Sequence, residues 1–412
     1  ALLSEPWIEA KTDNKHKEFS SGKKFLRKSA GRLIILLLVV LGFAVSYEIY
    51  RIISLSGISK TIAAIPLTYS GSDTILRDYG DIFMEAIHDK LTGIKNITVR
   101  SRMSALQYRN TGKTLQAIRK ELDINYLVGG NIRRDGNKII IWINLVSARR
   151  DKNLWSGEYL WDKDRISPSV QEIIKVIADN LGMELSLEQL EEIESEPTQN
   201  SEANMNFRLA NSISYDAWSS FTMGKKLMSY TSFKSAVIAY SKAIEKDTLF
   251  ALAYANRAVA RSWGYYSGEL DTTHIEDCRK DAEKALFING KLPEARTAMG
   301  FYFYYCKNEF DRALEQFRIA AELSPDDYQP LFHMAMVYRR KGDWLKSQEL
   351  IRKVIKYDPQ EALFLTNIGL SYSFLHDYDS ALIFHQKAID MMPFWSTPYI
   401  HKIYALIFKN GN

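Results

Sequence analysis

At 412 residues the chain is long enough for two or three cores of ordinary size. Its composition, 46% apolar and 25% charged, is that of a globular protein, and a net charge of +5 over this length is too mild to point to a nucleic-acid partner. Two cysteines, Cys278 and Cys306, exclude a disulfide scaffold and a cysteine metal cluster.

Positive charge crowds residues 1–31, where Lys11, Lys15, Lys17, Lys23, Lys24, Arg27 and Lys28 have few acids among them. The first residue is Ala, which suggests a processed chain or a piece of a longer one. The basic segment leads into LIILLLVVLGFAVSY, Leu33 to Tyr47, without a charge. Extended past Glu48, the pattern predicts a transmembrane helix over 32–54, about the 20 residues that a span needs. Tyr47 and Tyr50 would then lie at the far interface. Two other readings stay open: a buried core helix, and a signal peptide cut at the small-x-small pattern Ala44-Val45-Ser46. With a retained anchor, the positive-inside bias puts residues 1–31 in the cytoplasm and everything after residue 54 outside.

From 61 to 182 short apolar strands alternate with amphipathic helices. TIAAIPLTY (61–69) predicts a buried strand, and residues 76–91 have helical spacing through Tyr79, Phe83, Ile87 and Leu91. NITVRSR predicts a second strand and TLQAIRKELD (114–123) a second helix. YLVGGNIRRDGNKIIIWINLV, Tyr126 to Val146, predicts a hairpin turning at Asp135-Gly136-Asn137, residues that tolerate positive φ. Gly129-Gly130 implies a bulge or a close backbone approach. A strand within 154–164 and a helix over 167–182 complete a small α/β domain with a mixed sheet. Residues 183–212 are acidic and polar and read as a short helix running into a linker.

From 215 to 412 the chain repeats itself. The unit at 328–361 carries Ala335, Tyr338, Gly342-Asp343-Trp344, Ser347 and Asp358-Pro359. Thirty-four residues on come Gly369, Tyr372, Asp377-Tyr378, Ala381, Ala388 and Pro393. An earlier copy has Gly300, Phe303, Phe310, Ala313, Phe317, Ala320 and Pro325, with one residue added in its inter-helix turn. Small residues where paired helices touch, aromatics that fill holes and a closing Pro form the tetratricopeptide (TPR) pattern, an all-α solenoid. Five repeats are predicted, followed by the first helix of a sixth over 396–408, with truncation expected beyond it.

The residues IAAIPLTYSGSD and IRKELDINYLVGGNIRRDGNKIIIWINLVSARRDKNLWSGEY resemble the TolB-like N-terminal domain found beside TPR arrays in bacterial membrane signalling proteins. Tyr126, Leu127, Gly130, Ile132, Arg133, Arg134, Gly136, Trp155 and Tyr159 occupy the places of its motif. The resemblance implies a bacterial inner-membrane protein with a cytoplasmic N-terminus and periplasmic TolB-like and TPR domains. It also implies an upstream output domain such as a class III adenylate or guanylate cyclase, a winged-helix DNA binder or a protein kinase.

No catalytic set emerges. TGKT (111–114) lacks the glycine that a phosphate-binding loop needs five residues before Gly112, because Gln107 stands there. The histidines show no metal-ligand spacing, and no cofactor is expected. Cys278 and Cys306 lie on helices expected to run antiparallel, so a disulfide and two free packed thiols both stay open. Repeat register places Trp218, Phe221, Trp263, Phe301, Tyr304, Tyr305, Phe332, Met336, Arg339, Arg340 and Phe374 on the concave face. That lane predicts a largely apolar protein or peptide partner with an acidic contact at Arg339 and Arg340. A groove closed by the linker or by further repeats is the competing reading. The expectation is thus a non-catalytic, membrane-anchored sensor or scaffold, with self-association open. The alternative is the regulatory part of a cyclase or kinase whose catalytic domain precedes residue 1.

Overall fold

The structure, a computed structural model, describes residues 60–69, 73–109, 111–162, 164–222, 232–325, 327–359 and 361–411. The basic segment 1–31 and the span expected over 32–54 lie outside them. Among the described residues no helix is long and apolar enough to cross a membrane. This corrects the localisation read from the sequence. The described helices put their apolar residues on faces that pack against one another, and placement as a single-pass inner-membrane protein with periplasmic domains is withdrawn.

The N-terminal part is a five-stranded mixed sheet in the order β2-β1-β3-β4-β5. Strand β1 (Thr61–Ala64) runs parallel to β2 (Thr98–Val99) and to β3 (Tyr126–Asp135). Strands β3, β4 (Lys138–Ser147) and β5 (Lys152–Leu160) form an antiparallel meander. Asp135 pairs with Lys138 across the turn, and Gly136 takes the positive φ of 57° expected there. Gly130 is a close approach: a Cβ at this position would lie 1.8 Å from the Trp142 carbonyl oxygen. The irregular pairing of the meander falls elsewhere, at Leu145/Val146.

Helix α1 (Thr74–Thr92) starts at Asp73, whose carboxylate accepts from the Ile75 and Leu76 amides. A short α2 (Arg102–Leu106), which apolar periodicity did not foreshadow, follows β2. Helix α3 (Leu115–Leu122), capped by Thr114, packs Ile118 and Leu122 on Ala63, Leu127 and Ala148 on one face of the sheet. Helix α4 (Ile166–Asn180) packs on α1, which brings Phe83 to Tyr159 of β5. Cover on both sides explains why β4 alternates apolar residues on each face.

Residues 183–212, read as a short helix running into a linker, carry α5 (Leu187–Glu194) and the first half of α6 (Ser201–Thr222). Helix α6 is the first helix of the first repeat, pairing with α7 (Phe233–Lys246). The pairs that follow are α8 (Ala251–Ser267) with α9 (Thr273–Ile288), and α10 (Pro293–Phe301) with α11 (Phe310–Leu323). Then come α12 (Gln329–Arg340) with α13 (Trp344–Val354), and α14 (Ala362–Phe374) with α15 (Tyr378–Met391). Helix α16 (Ser396–Asn410) opens a sixth unit. The small-residue signature works as close packing: a Cβ on Gly300 would lie 2.5 Å from the Phe317 ring, and one on Gly369 would lie 2.7 Å from the His385 ring.

The residue added in the third repeat is absorbed by the helix rather than by a loop. After α10 the chain continues through a π-helical turn, Tyr302–Lys307, before Asn308 reverses it at a φ of 56°. A π turn is how a helix takes in one extra residue. Here it turns Tyr302, Phe303, Tyr304, Tyr305 and Cys306 all into the interior.

Candidate functional site

Consecutive first helices pack directly on one another (α6 on α8, α8 on α10, α14 on α16), and no pair of consecutive second helices packs as extensively. First helices therefore take the inside of the curve, as the repeat register requires. The predicted lane lies along them, and the structure divides it into three parts.

The first part is interior. Phe301, Tyr304, Tyr305 and Met336 are buried. Phe301 stacks on Tyr305 with centroids 5.5 Å apart and meets Phe317 edge-on at 5.6 Å. The Tyr304 hydroxyl donates to the Met336 carbonyl oxygen at 3.2 Å. Burial pushes up the pKa values of the Tyr304 and Tyr305 hydroxyls, which stay neutral. These side chains hold the repeats together and present little surface. Phe332 is half-buried, packed on Phe364 at 5.1 Å.

The second part is an accessible ledge. Phe221 is 42% exposed and Tyr266, which the sequence reading did not single out, is 44% exposed. Half-buried Trp263 joins them, 6.0 Å from Phe221, 5.9 Å from Tyr266 and 4.6 Å from Tyr305. At its edge the Arg340 guanidinium lies 5.5 Å from the Tyr266 ring centre, 5.4 Å from Tyr304 and 5.9 Å from Phe310. Arg340 makes no ion pair with a carboxylate among the described residues, whereas its neighbour Arg339 is engaged by the Asn367 side-chain oxygen. Tyr266 follows Trp263 by three positions on α8, and that helical spacing was the available signal.

The third part lies apart from the ledge. Phe374 is 53% exposed but stacked on Trp344 at 3.9 Å. Trp218 belongs to a closing contact. Together with Tyr215 it packs on a cluster of Ala362, Met392 and Trp395. The Trp395 indole N–H donates to the Thr222 carbonyl oxygen at 2.9 Å. The first repeat thus touches the fifth and the start of the sixth, and the array closes on itself.

The α/β part reinforces this closure. The Arg100 guanidinium bonds Asp358 at 3.0 Å, with both side chains almost fully buried, and donates to the carbonyls of Leu122 and Asp123. The Ser101 hydroxyl bonds Glu361, whose pKa is pushed up to about 7 by burial and by neighbouring Asp358. On the other side of the contact Arg208 of α6 pairs with Glu85 of α1 at 3.0 Å and with Glu196 at 3.4 Å. The Arg102 guanidinium lies over the Tyr215 ring at 5.0 Å.

The two thiols are free and buried. Among the described residues no group of three His, Cys, Asp or Glu side chains could hold a metal ion.

No family model matches the chain. Over 169 residues it is 28% identical to "Tetratricopeptide repeat protein 6" of Homo sapiens, a stretch covering 41% of this chain and 31% of that protein. Over 135 residues it is 24% identical to "Putative adenylate cyclase 3" of Rhizobium meliloti (strain 1021), covering 33% of this chain and 23% of that protein. The chain therefore spans less than a third of the length of these curated relatives. Among solved structures it is similar to YrrB, "a TPR protein with an unusual peptide-binding site". The identity is 22%, the TM-score 0.31, and the match covers 50% of this chain and 92% of that one. The described residues are a mostly helical TPR-like solenoid carrying a small mixed sheet. None of these relatives is named for a TolB-like domain, so that resemblance rests on its motif residues alone.

Proposed function

We propose that the described residues serve as a non-catalytic protein-interaction scaffold. In this reading the ledge of Phe221, Trp263, Tyr266 and Arg340 takes a partner segment that carries an aromatic or aliphatic side chain beside an acidic group. The observation that carries it is Arg340, a cation held among three rings and in no ion pair with a carboxylate among the described residues. Rings supply area at low entropy cost, and the guanidinium selects charge. Relative to the sequence expectation, the acidic contact falls to Arg340 alone, because Arg339 is engaged by Asn367.

The test is a peptide array of apolar segments with and without Asp or Glu, followed by titration of the best binders. Arg340→Ala is expected to weaken binding about tenfold, and Phe221→Ala with Tyr266→Ala to abolish it while the melting temperature holds. Equal binding of acidic and neutral segments, or binding untouched by these changes, would sink the reading. Phe301, Tyr305 and Phe332 are unsuitable for such a test, because replacing packed rings disturbs the repeats themselves.

A second reading is favoured by the 135-residue similarity to the Rhizobium meliloti protein: the chain is a regulatory part of a nucleotide cyclase or another signalling enzyme. The gene sequence upstream of the Ala1 codon decides it. An initiator codon a few triplets away would remove this reading and leave the scaffold.

A further inference from the structure

We propose that Cys278 and Cys306 form a two-electron oxidation site, at which an intramolecular disulfide ties the second helix of the second repeat to the first helix of the third. Cys278 sits on α9 and Cys306 in the π turn after α10. Both sulfurs face one hydroxyl: Ser262 Oγ lies 3.0 Å from Cys278 Sγ and 3.9 Å from Cys306 Sγ. Cys278 also donates to the Ala258 carbonyl oxygen at 3.3 Å. The two thiols share one hydrophobic cluster, with Cys278 fully buried and Cys306 7% exposed. A small oxidant therefore reaches Cys306 first, and a second protein molecule reaches neither. Burial so deep makes the pair, rather than a partner's thiol, the only resolution open to an oxidised Cys306.

Their electrostatics differ in the sense the reaction needs. The neighbouring Cys278 thiol, then the Ser262 hydroxyl and the Lys307 ammonium, hold the Cys306 thiol below its ordinary pKa. Cys278 is pushed up by the neighbouring Cys306 thiol and by burial. With hydrogen peroxide as oxidant, the Cys306 thiolate attacks one peroxide oxygen. The O–O bond breaks, and the departing hydroxide takes a proton to leave as water. The resulting Cys306 sulfenic acid is attacked by the Cys278 sulfur. The S–O bond breaks and a second water leaves with the Cys278 proton. Two thiols and one peroxide thus become one disulfide and two waters. Cys306 sits in the π turn, a local irregularity of the helix. Cys278 also occupies the small-residue position that Ala236, Ala313, Ser347 and Ala381 hold in the other repeats. A cysteine there is not demanded by packing.

The native protein is treated with millimolar hydrogen peroxide, denatured, alkylated with iodoacetamide and weighed intact. The expected result is a loss of about 2 Da with no alkylation, a linked peptide pair containing Cys278 and Cys306, and a monomer on a non-reducing gel. Dithiothreitol reverses all three. The oxidised form is expected to melt about 3 °C or more above the reduced form. Cys278→Ala, which restores the residue type of the other repeats, leaves Cys306 as a sulfenic acid that dimedone traps. Cys306→Ala leaves Cys278 unmodified. Two alkylatable thiols after treatment, a disulfide between molecules, or dimedone trapping at Cys278 in place of Cys306 would each overturn the proposal.

Discussion

His385 shows how one side chain can be held against its own preference. Its ring fills the place beside Gly369 that Phe317 fills beside Gly300. It is fully buried, and neither ring nitrogen has a hydrogen-bond partner among the described residues. Burial, then the neighbouring His401 and Lys402, push its pKa down to about 3. A pKa lower in the folded than in the unfolded chain means stability that is present above about pH 6.5 and lost as pH falls toward 3. Half-buried His88 and His333, pushed down to about 4 and about 3, act in the same direction. His385→Phe is therefore expected to raise the melting temperature by about 1–3 °C at pH 7. It should also flatten, without abolishing, the decline between pH 6.5 and 4. Thermal melts across that range would show it, and an acid limb identical to wild type would count against a buried neutral histidine.

Among the elements, α6 was the least legible. The hairpin could be read because Asp135-Gly136-Asn137 and the alternation around it are local signals. The repeats could be read because small residues recur at a fixed period. Helix α6 offers neither. Its buried face carries Asn204, Arg208 and Ser212, which look like linker residues until their partners are known. Arg208 is buried because Glu85 meets it from 123 positions away, and Asn211 reaches the same carboxylate at 2.9 Å. The extra residue of the third repeat was likewise visible as a count, but nothing local told a longer loop from a π turn. Arg208→Ala strands Glu85 without its cation and is expected to cost about 3–5 kcal/mol. Arg208→Met combined with Glu85→Leu should recover most of that loss. Urea unfolding of the three variants measures it, and additive losses in the double variant would refute the coupling.

For the whole molecule, much of the predicted lane is packing: Phe301, Tyr304, Tyr305 and Met336 are buried. The sequence register reports which side of a helix faces inward but not how deeply the neighbouring repeat covers it. Closure of the array was beyond reach for a related reason. Thr222 and Trp395 are 173 positions apart, and Arg100 and Asp358 are 258 apart. Trp395 anchors the closing cluster, so Trp395→Ala is expected to destabilise the protein by about 3–5 kcal/mol. It should also enlarge the radius of gyration seen by X-ray scattering before any unfolding. A variant that melts early but keeps its native dimensions would show that the other contacts hold the ends together.

The Trp395 contact has a mechanical meaning as well. An open solenoid is a spring: it can lengthen or shorten its pitch to suit a segment that fits imperfectly, and so it tolerates many guests. With first and last turns fastened, and Arg100 and Arg208 bracing them from the side, that compliance is removed. The spacing from Phe221 to Arg340 becomes a fixed gauge. For the partner segment proposed above, apolar and acidic groups one residue out of step would gain nothing from strain in the scaffold, and selection by length therefore comes with that proposal.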